Sequence, residues 1–341
     1  MNKKILSGLS ICFLLNCSHA GIGSASYQKL GMDARGIAIG RTASCTSNGA
    51  SSIFWNPANL CLNNLNKKEK FDFMLTYMRY PEFDIQYLTS ALAYRKNKFG
   101  IGIGYMQYGV EDIHKYDNQM NYLGSFQNTE ESVLLGLACK IPYVMNIGVT
   151  IQGLTQDFDY GKLNNKKDWA IGFRAGIIFF PIYSYERLML SLVLNNRSIL
   201  SEDEMRPTTT AGIFWSSKMN KKEYLKQLIL ATEIEQENTF PIKLKFGAEL
   251  FAAEFENFCL FIRGGVDDII LETRDDLICE DVRKDITVRR LNQLNLKITW
   301  GSGLEFPALK LSRKSMRIRF DFALVNEAYR NLGFYTIGFY W

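Results

Sequence analysis

The chain has 341 residues, of which 47% are hydrophobic, 13% aromatic and 22% charged, with a formal net charge of +5. This composition is too apolar for a disordered chain. The basic residues are spread among acidic ones, which excludes the clustered basic face of a nucleic-acid-binding protein. No apolar run reaches the ~18 residues that a membrane-spanning helix needs.

Residues 1–20 have the pattern of a secretory signal peptide. They contain a basic pair, an apolar stretch over residues 5–15 and the small-residue cleavage site Ser18-His19-Ala20. Lipoprotein processing at Cys17 and an uncleaved anchor are the alternatives. The pattern predicts export from the cytoplasm.

From residue 70 onwards, the sequence alternates between large apolar residues and charged or small ones. Residues 316–324 are the clearest case, with every even position large and apolar, and only a β-strand puts those two sets on opposite faces. Fourteen such segments are predicted as strands. They cover residues 70–80, 86–95, 98–109, 130–141, 146–156, 168–180, 186–196, 207–217, 226–236, 241–253, 257–266, 292–303, 315–326 and 332–341.

The intervals between these segments predict a barrel with both chain ends on one side. The longest intervals, about 110–129, 157–167, 197–206 and 267–291, all follow odd-numbered segments. Long outer loops after odd strands and short turns after even ones are typical of bacterial outer-membrane barrels. We therefore predict an all-β fold, a fourteen-stranded antiparallel transmembrane β-barrel over residues 70–341, in contact with outer-membrane lipid. A soluble, secreted β protein is the alternative.

The last segment indicates how such a barrel is assembled. Tyr335, Ile337, Phe339 and Trp341 share one strand face, and the chain ends on an aromatic residue. This resembles the C-terminal assembly signal of outer-membrane barrels, which implies the barrel assembly machinery as a partner.

Residues 21–69 do not alternate and are rich in small residues, so they cannot form a core alone and are predicted to lie against the barrel. Two short motifs stand in this segment. Their residues are Gly31, Ala34, Arg35 and Gly40, followed by Trp55, Asn56, Pro57, Ala58 and Leu60.

These motifs resemble the N-terminal signature of the FadL-like outer-membrane families, and most closely that of the PorV/PorQ-like branch. The resemblance implies that residues 21–69 form a hatch that plugs the lumen. In the PorV branch, the barrel is a partner in the secretion or surface anchoring of other proteins, and this is the function we expect. The alternative is a FadL-like passive transporter of hydrophobic small molecules such as long-chain fatty acids. A simple sharp turn is the other interpretation of Trp55-Asn56-Pro57.

The strand face opposite the apolar set is predicted to line the lumen with charges of both signs. Its members are Asp72, Arg174, Glu233, Glu235, Lys243, Lys245, Glu249, Arg263, Lys297, Arg317, Arg319 and Asp321. Charges in a lumen must be solvated or paired. Asp33, Arg35 and Arg41 of the hatch are the expected partners, so Arg35→Ala should loosen the plug.

The sequence predicts no catalytic residues, no metal site and no cofactor. Beyond the signal peptide, the one histidine is His114, in a predicted outer loop. The charged loop 267–291 could bind calcium, but acidic and basic residues that pair with each other are the preferred interpretation. In a secretion partner, the same loop would dock another protein. Cys45 and Cys61 could form a disulfide, although two small buried residues are the preferred interpretation.

Overall fold

The structure is a computed structural model. It describes residues 30–62, 71–80, 85–117, 119–159, 165–181, 187–201, 207–218, 227–237, 242–255, 258–270, 297–311, 314–327 and 330–340. The predicted signal peptide, most of loop 267–291 and Trp341 lie outside these residues.

The chain forms a closed barrel in which each strand pairs antiparallel with its neighbours along the chain and β14 pairs with β1. The strands are β1 Phe71–Tyr80, β2 Ile85–Lys96, β3 Phe99–Tyr116, β4 Tyr122–Ile141, β5 Met145–Asp159, β6 Asn165–Phe179, β7 Leu188–Ser201, β8 Thr208–Lys218, β9 Gln227–Glu237, β10 Lys243–Glu254, β11 Cys259–Ile270, β12 Lys297–Leu311, β13 Lys314–Glu327 and β14 Arg330–Tyr340. The prediction of a fourteen-stranded antiparallel barrel is confirmed.

The apolar side of the alternation faces outwards. Large hydrophobic side chains are exposed along the outer surface, among them Ile101, Ile103, Val133, Leu135, Leu137, Ile147, Val149, Ile151, Ile177, Ile213, Leu230, Phe246, Ile262, Ile298 and Phe320. The small and polar residues between them are buried inside. A soluble barrel would bury its apolar side chains and expose its polar ones, so the soluble alternative is wrong.

Residues 30–62 form a chain of short helices inside the barrel, here called the luminal segment. It consists of α1 Ala34–Ala38, α2 Ala43–Thr46, a 3₁₀ helix at Gly49–Ser51, α3 Ser52–Trp55 and a second 3₁₀ helix at Pro57–Cys61. Nearly all of its side chains are buried against the inner wall. Within the described residues, no helix has the length and apolarity to cross a membrane.

Two predicted loops are wrong in extent. Most of the interval 110–129 is strand, since β3 continues to Tyr116 and β4 begins at Tyr122. The interval 304–314 is also mostly strand, because β12 continues to Leu311. Alternation fades in the β3–β4 extension because strands that leave the lipid no longer need an apolar outer face.

The two ends of the barrel differ. The terminal end is the one where β1 begins and β14 ends, and the distal end is the opposite one. Near the distal end, the outer surface carries Tyr77, Trp169, Trp300 and Tyr335, all exposed. Tyrosine and tryptophan in such a belt mark the boundary between lipid and water. The β3–β4 hairpin therefore extends well beyond the membrane on the distal side.

Candidate functional site: the barrel lumen

The first motif builds the start of the luminal segment. Gly31 and Gly40 have positive φ values of 104° and 68°, a conformation that favours glycine. Between them, Asp33 caps α1 by accepting a hydrogen bond from Gly36 N at 3.1 Å. Asp33 also accepts from Trp55 Nε1. We predicted that Asp33 pairs with charged residues of the wall. That prediction is wrong, because the Asp33 carboxylate joins two parts of the luminal segment instead.

The second motif starts the last helix of the luminal segment. Asn56 has the extended conformation that the following proline favours. Its side chain accepts from Ala58 N at 3.0 Å and donates to Ser44 O at 2.8 Å. Pro57, Ala58 and Leu60 are buried. The motif therefore caps a helix and ties it to α2.

Glycines on the inner wall leave room for the luminal main chain. A Cβ atom at Gly148 would lie 2.4 Å from Pro57 C, and one at Gly265 would lie 2.2 Å from Gly40 N. Similar close approaches to main chain occur at Gly100 and Gly247, and a Cβ atom at Gly176 would meet the side chain of Asn56. The glycine positions in the alternating segments thus form a groove that fixes where the luminal segment lies.

A buried ion cluster joins α1 to the wall on the terminal side. The Glu249 cluster consists of Arg35, Glu249, Arg263, Arg319 and Asp321. Arg35 forms a two-pronged pair with Glu249, at 2.8 Å for Nε–Oε2 and 3.0 Å for Nη2–Oε1. Arg263 Nε lies 2.6 Å from Glu249 Oε2, and Arg263 Nη1 lies 2.8 Å from Asp321 Oδ1. Arg319 Nε donates to Asp321 at 2.9 Å. Glu249 is thus shared between the luminal segment and the wall.

A second ion cluster holds the segment on the distal side of Gly40. The Asp267 cluster consists of Arg41, Asp267, Lys245 and Glu235. Arg41 Nη1 donates to Asp267 Oδ2, and Lys245 Nζ donates to Glu235 Oε2 at 2.7 Å. Asp267 was assigned from the sequence to the charged loop 267–291. That assignment is wrong, because Asp267 lies in β11 and is buried in the lumen.

The other predicted lumen charges also face inwards. Asp72 accepts from Ala50 N at 2.9 Å, and Glu233 accepts from Ser44 N at 2.6 Å. Arg174 donates to Phe54 O and to Gln152 Oε1. Arg317 pairs with Glu305 on the neighbouring strand at 2.7 Å, so this ion pair joins two wall strands. Lys243 and Lys297 occupy the distal starts of β10 and β12, half-buried at inward positions.

Four wall threonines that sequence reasoning missed also bind the luminal main chain or each other. Thr299 Oγ1 accepts from Gly40 N at 3.0 Å and donates to Ala38 O at 3.1 Å. Thr336 Oγ1 accepts from Ala34 N at 2.8 Å and lies 2.8 Å from Thr76 Oγ1. Thr89 donates to Met32 O at 2.6 Å. Their one sequence signal is a hydroxyl at an inward position of an alternating strand.

One part of the lumen is apolar. Inward-facing side chains of β1–β5, β13 and β14 form a buried cluster with the start of the luminal segment, here called the apolar cluster. It includes Met32, Met78, Tyr87, Met106, Leu134, Leu154, Val325, Leu332 and Phe334. The charged clusters lie mainly across the lumen, on β9–β13. The lumen therefore has an apolar side and a charged side.

The remaining predicted features are placed as follows. Cys45 and Cys61 are buried free thiols, so they do not form a disulfide. His114 is exposed on the β3 extension, not in a loop, and its ring lies 5.5 Å from that of Tyr122. Tyr335, Ile337 and Phe339 lie at outward positions of β14. Residues 271–296, which include most of the loop considered for calcium binding or protein docking, lie outside the described residues.

The chain is therefore an integral β-barrel of the bacterial outer membrane with a segment of its own chain in the lumen. Solved structures with the same fold include the CymD monoaromatic hydrocarbon channel (TM-score 0.55, 9% identity, 91% of this chain and 98% of that one). A Pseudomonas aeruginosa FadL homologue (0.52, 11%, 94% and 99%) and the Pseudomonas putida toluene transporter TodX (0.52, 10%, 91% and 96%) are also similar.

These matches cover nearly the whole of both chains, and they show that the fold is that of FadL-like channels. No protein-family model matches the chain, and no curated protein sequence matches it. The similarity extends to the fold class and does not distinguish the PorV/PorQ-like branch.

Proposed function

We propose that the chain is a passive outer-membrane channel for hydrophobic small molecules, with the luminal segment as its gate. The apolar cluster is the observation that carries this proposal. Met78, Tyr87 and Met106 face inwards on neighbouring strands, and each is at most 1% exposed. Apolar side chains at inward positions are unusual for a water-filled porin, whose interior is polar. They suit a site for an apolar ligand.

The fold supports the same function. The similar structures are described as a monoaromatic hydrocarbon channel and a toluene transporter. In this chain, the luminal segment lies inside the barrel, so we infer that a permeating molecule passes beside it. The start of the segment, at Met32, packs in the apolar cluster. A movement of residues 30–41 would therefore change access to that cluster.

Uptake by intact cells tests the proposal. Phospholipid bilayers alone pass small apolar molecules, so the assay needs an outer membrane whose outer leaflet is lipopolysaccharide. The probe is N-phenyl-1-naphthylamine, whose fluorescence rises when it reaches phospholipid. We expect expression of the chain to raise the initial rate above that of an empty vector. Equal rates would contradict the proposal.

A pair of methionine variants locates the site. Met106→Gln keeps the side-chain length but adds an amide to the apolar cluster, which disfavours an apolar ligand. We expect uptake close to the empty-vector rate. Met189→Gln is the matched control, because Met189 is also buried but belongs to a separate group around Cys45. Equal loss in both variants would place the ligand elsewhere.

A partner in secretion or surface anchoring is the second candidate function, as the PorV/PorQ-like motif suggests. The observation that favours it is the β3–β4 extension, which exposes Tyr116, Met120, Tyr122 and Leu123 beyond the membrane. Exposed apolar side chains in such a position suit a protein contact. Removal of residues 112–126 should then leave probe uptake unchanged and reduce the amount of particular proteins on the surface of the native cell.

A further inference from the structure

A polar row of side chains lies on the distal side of the apolar cluster. Strand pairing across β2–β6 places five inward residues at one height, and they are called here the distal row: Tyr87, Tyr108, Glu130, Gln156 and Asp168. The next inward row towards the terminal end, about 7 Å deeper along the strands, contains Met106, Leu154 and Ala170 of the apolar cluster. The distal row therefore borders the apolar cluster directly.

The two ends of the distal row differ in chemistry. At the β2–β3 end, Tyr87 is itself a member of the apolar cluster, and Tyr108 packs against that cluster. At the β4–β6 end, Glu130 and Asp168 face inwards and are only 4% and 5% exposed. Gln156 lies between the two carboxylates and donates from Nε2 to Glu130 Oε1 at 3.3 Å. The rim of the proposed ligand site is thus aromatic on one side and acidic on the other.

The distal ends of β3–β6 are acidic as a whole. Eight Asp or Glu residues and three Lys residues lie in residues 110–117, 122–131, 155–159 and 165–168. Arg174, an inward cation on the same strand as Asp168, lies roughly 20 Å deeper along that strand and donates to Phe54 O. The loops that follow odd-numbered strands leave from the distal end, and such loops are the outer ones in barrels of this class. A molecule that enters from outside therefore meets the carboxylates before it reaches the apolar cluster or Arg174.

Buried carboxylates at an entrance discriminate between ligands by charge. A cleft with charges of one sign and low-dielectric walls focuses the field, which changes the local concentration of a charged ligand by roughly ten-fold or more. A carboxylate also accepts hydrogen bonds at about four positions, so the bonds made within the barrel leave acceptors for an N–H or O–H group. Alkyl carboxylic acids are ionised at neutral pH, as Asp and Glu side chains are, and the same field repels them.

We propose that Glu130 and Asp168 make the entrance to the apolar cluster selective, so that it admits neutral and cationic apolar molecules, amines in particular, and rejects anions. This selectivity rests on the proposed channel function, because it names the class of molecule that reaches the site described there. Arylamines belong to the admitted class. Long-chain fatty acids, the ligands that the sequence resemblance suggested for a channel, belong to the rejected class.

Two probes with the same ring system test the selectivity in intact cells. N-phenyl-1-naphthylamine is neutral, and 8-anilino-1-naphthalenesulfonate is the same molecule with one sulfonate added. We expect the wild type to raise the uptake rate of the neutral probe and to leave that of the anionic probe at the empty-vector rate. Glu130→Gln/Asp168→Asn should raise uptake of the anionic probe several-fold. Retained uptake of the neutral probe shows that this variant is folded.

The matched control removes two negative charges from the outer surface at nearly the same height. In Glu131→Gln/Asp157→Asn, both residues occupy outward positions of β4 and β5, and Glu131 accepts from Tyr105 OH at 2.7 Å. We expect this variant to keep the wild-type preference. Anionic uptake as fast as neutral uptake in the wild type would overturn the proposal. An equal gain in both double variants would do the same, because net charge and not the distal row would then set the preference.

Thiol labelling measures the field without any transport, so that failure of the channel function is recognised separately. In Gln156→Cys, the introduced thiol stands between the two carboxylates. The purified variant is treated with a cationic trimethylammonium-ethyl or an anionic sulfonatoethyl methanethiosulfonate, and each rate is divided by the rate with free cysteine. Mass spectrometry of the peptide that contains residue 156 separates this reaction from that of the native cysteines. We expect the cationic reagent to react roughly ten-fold faster, and the added Glu130→Gln/Asp168→Asn substitutions to remove the difference.

The labelling result separates the selectivity from the channel function. Equal rates with the two reagents would overturn the selectivity even if the neutral probe is taken up. Absence of labelling by either reagent would also overturn it, because the distal row would then lie away from any route open to a solute. A large rate ratio without any uptake would support the selective entrance and reject transport through it.

Discussion

Replacement of Arg35 by alanine should release the luminal segment from the barrel wall. Arg35 has the two-pronged pair with Glu249 and also donates to Thr46 O. Loss of one partner from a buried ion pair costs about 3–5 kcal/mol. Because Arg263 remains on Glu249 in the variant, the lower end of that range applies. About 3 kcal/mol corresponds to a roughly 100-fold rise in the population with a displaced segment.

Single-channel recording in planar bilayers measures this change. We expect Arg35→Ala to open far more often than the wild type. Glu249→Ala should open at least as often, because it removes the carboxylate that pairs with Arg35 and one of the two that pair with Arg263. Arg317→Ala is the control, since its pair with Glu305 joins only wall strands. If Arg35→Ala opens no more often than Arg317→Ala, the ion cluster does not hold the segment, and the reasoning from burial and pairing fails.

Three further predictions concern the fit and protonation of the luminal segment. Gly265→Ala should lower the temperature at which the barrel unfolds in detergent, because its Cβ would meet luminal main chain, whereas Gly153→Ala should not, since nothing lies within 4 Å of its Cβ. Burial raises the pKa of the Cys45 thiol to about 12, so maleimide should label it at neutral pH only in Arg35→Ala or unfolded protein. Burial also raises the pKa of the Asp33 carboxyl above its usual value, despite the hydrogen bonds it accepts. The folded chain therefore binds this proton more tightly than the unfolded chain, and its contribution to stability is lost as pH rises through the folded pKa. Asp33→Asn should flatten that part of the stability profile, and an unchanged profile would contradict it.

The barrel itself was largely predictable from the sequence, for a physical reason. Lipid requires apolar side chains at every second position of a spanning strand, so the alternation at residues 316–324 identifies both the strand and its outward face. Outside the lipid this requirement ends. The β3–β4 extension carries His114, Ser125 and Asn128 in strand pairing, and the sequence pattern there resembles a loop.

The partners inside the lumen were not predictable to the same degree. The charges at inward positions were visible, but their pairing depends on which strands face each other across the lumen, and therefore on closure and register. Arg35 and Arg41 are six residues apart, yet they meet Glu249 and Asp267 on different strands. Asp267 was missed as a lumen residue because its neighbours in the sequence are a run of loop-like charges.

The bonded path from Ala34 through Thr336 to Thr76 constrains the order of assembly. The luminal main chain lies within van der Waals distance of the wall at several glycines. Ion pairs from Arg35 and Arg41 bind it to the wall at two heights along the barrel axis. A ring that had already closed would offer no passage for helices held this tightly. The first and last strands must therefore come together around helices that are already in place. A segment less than a fifth of the chain in length thus acts as the template around which the barrel closes.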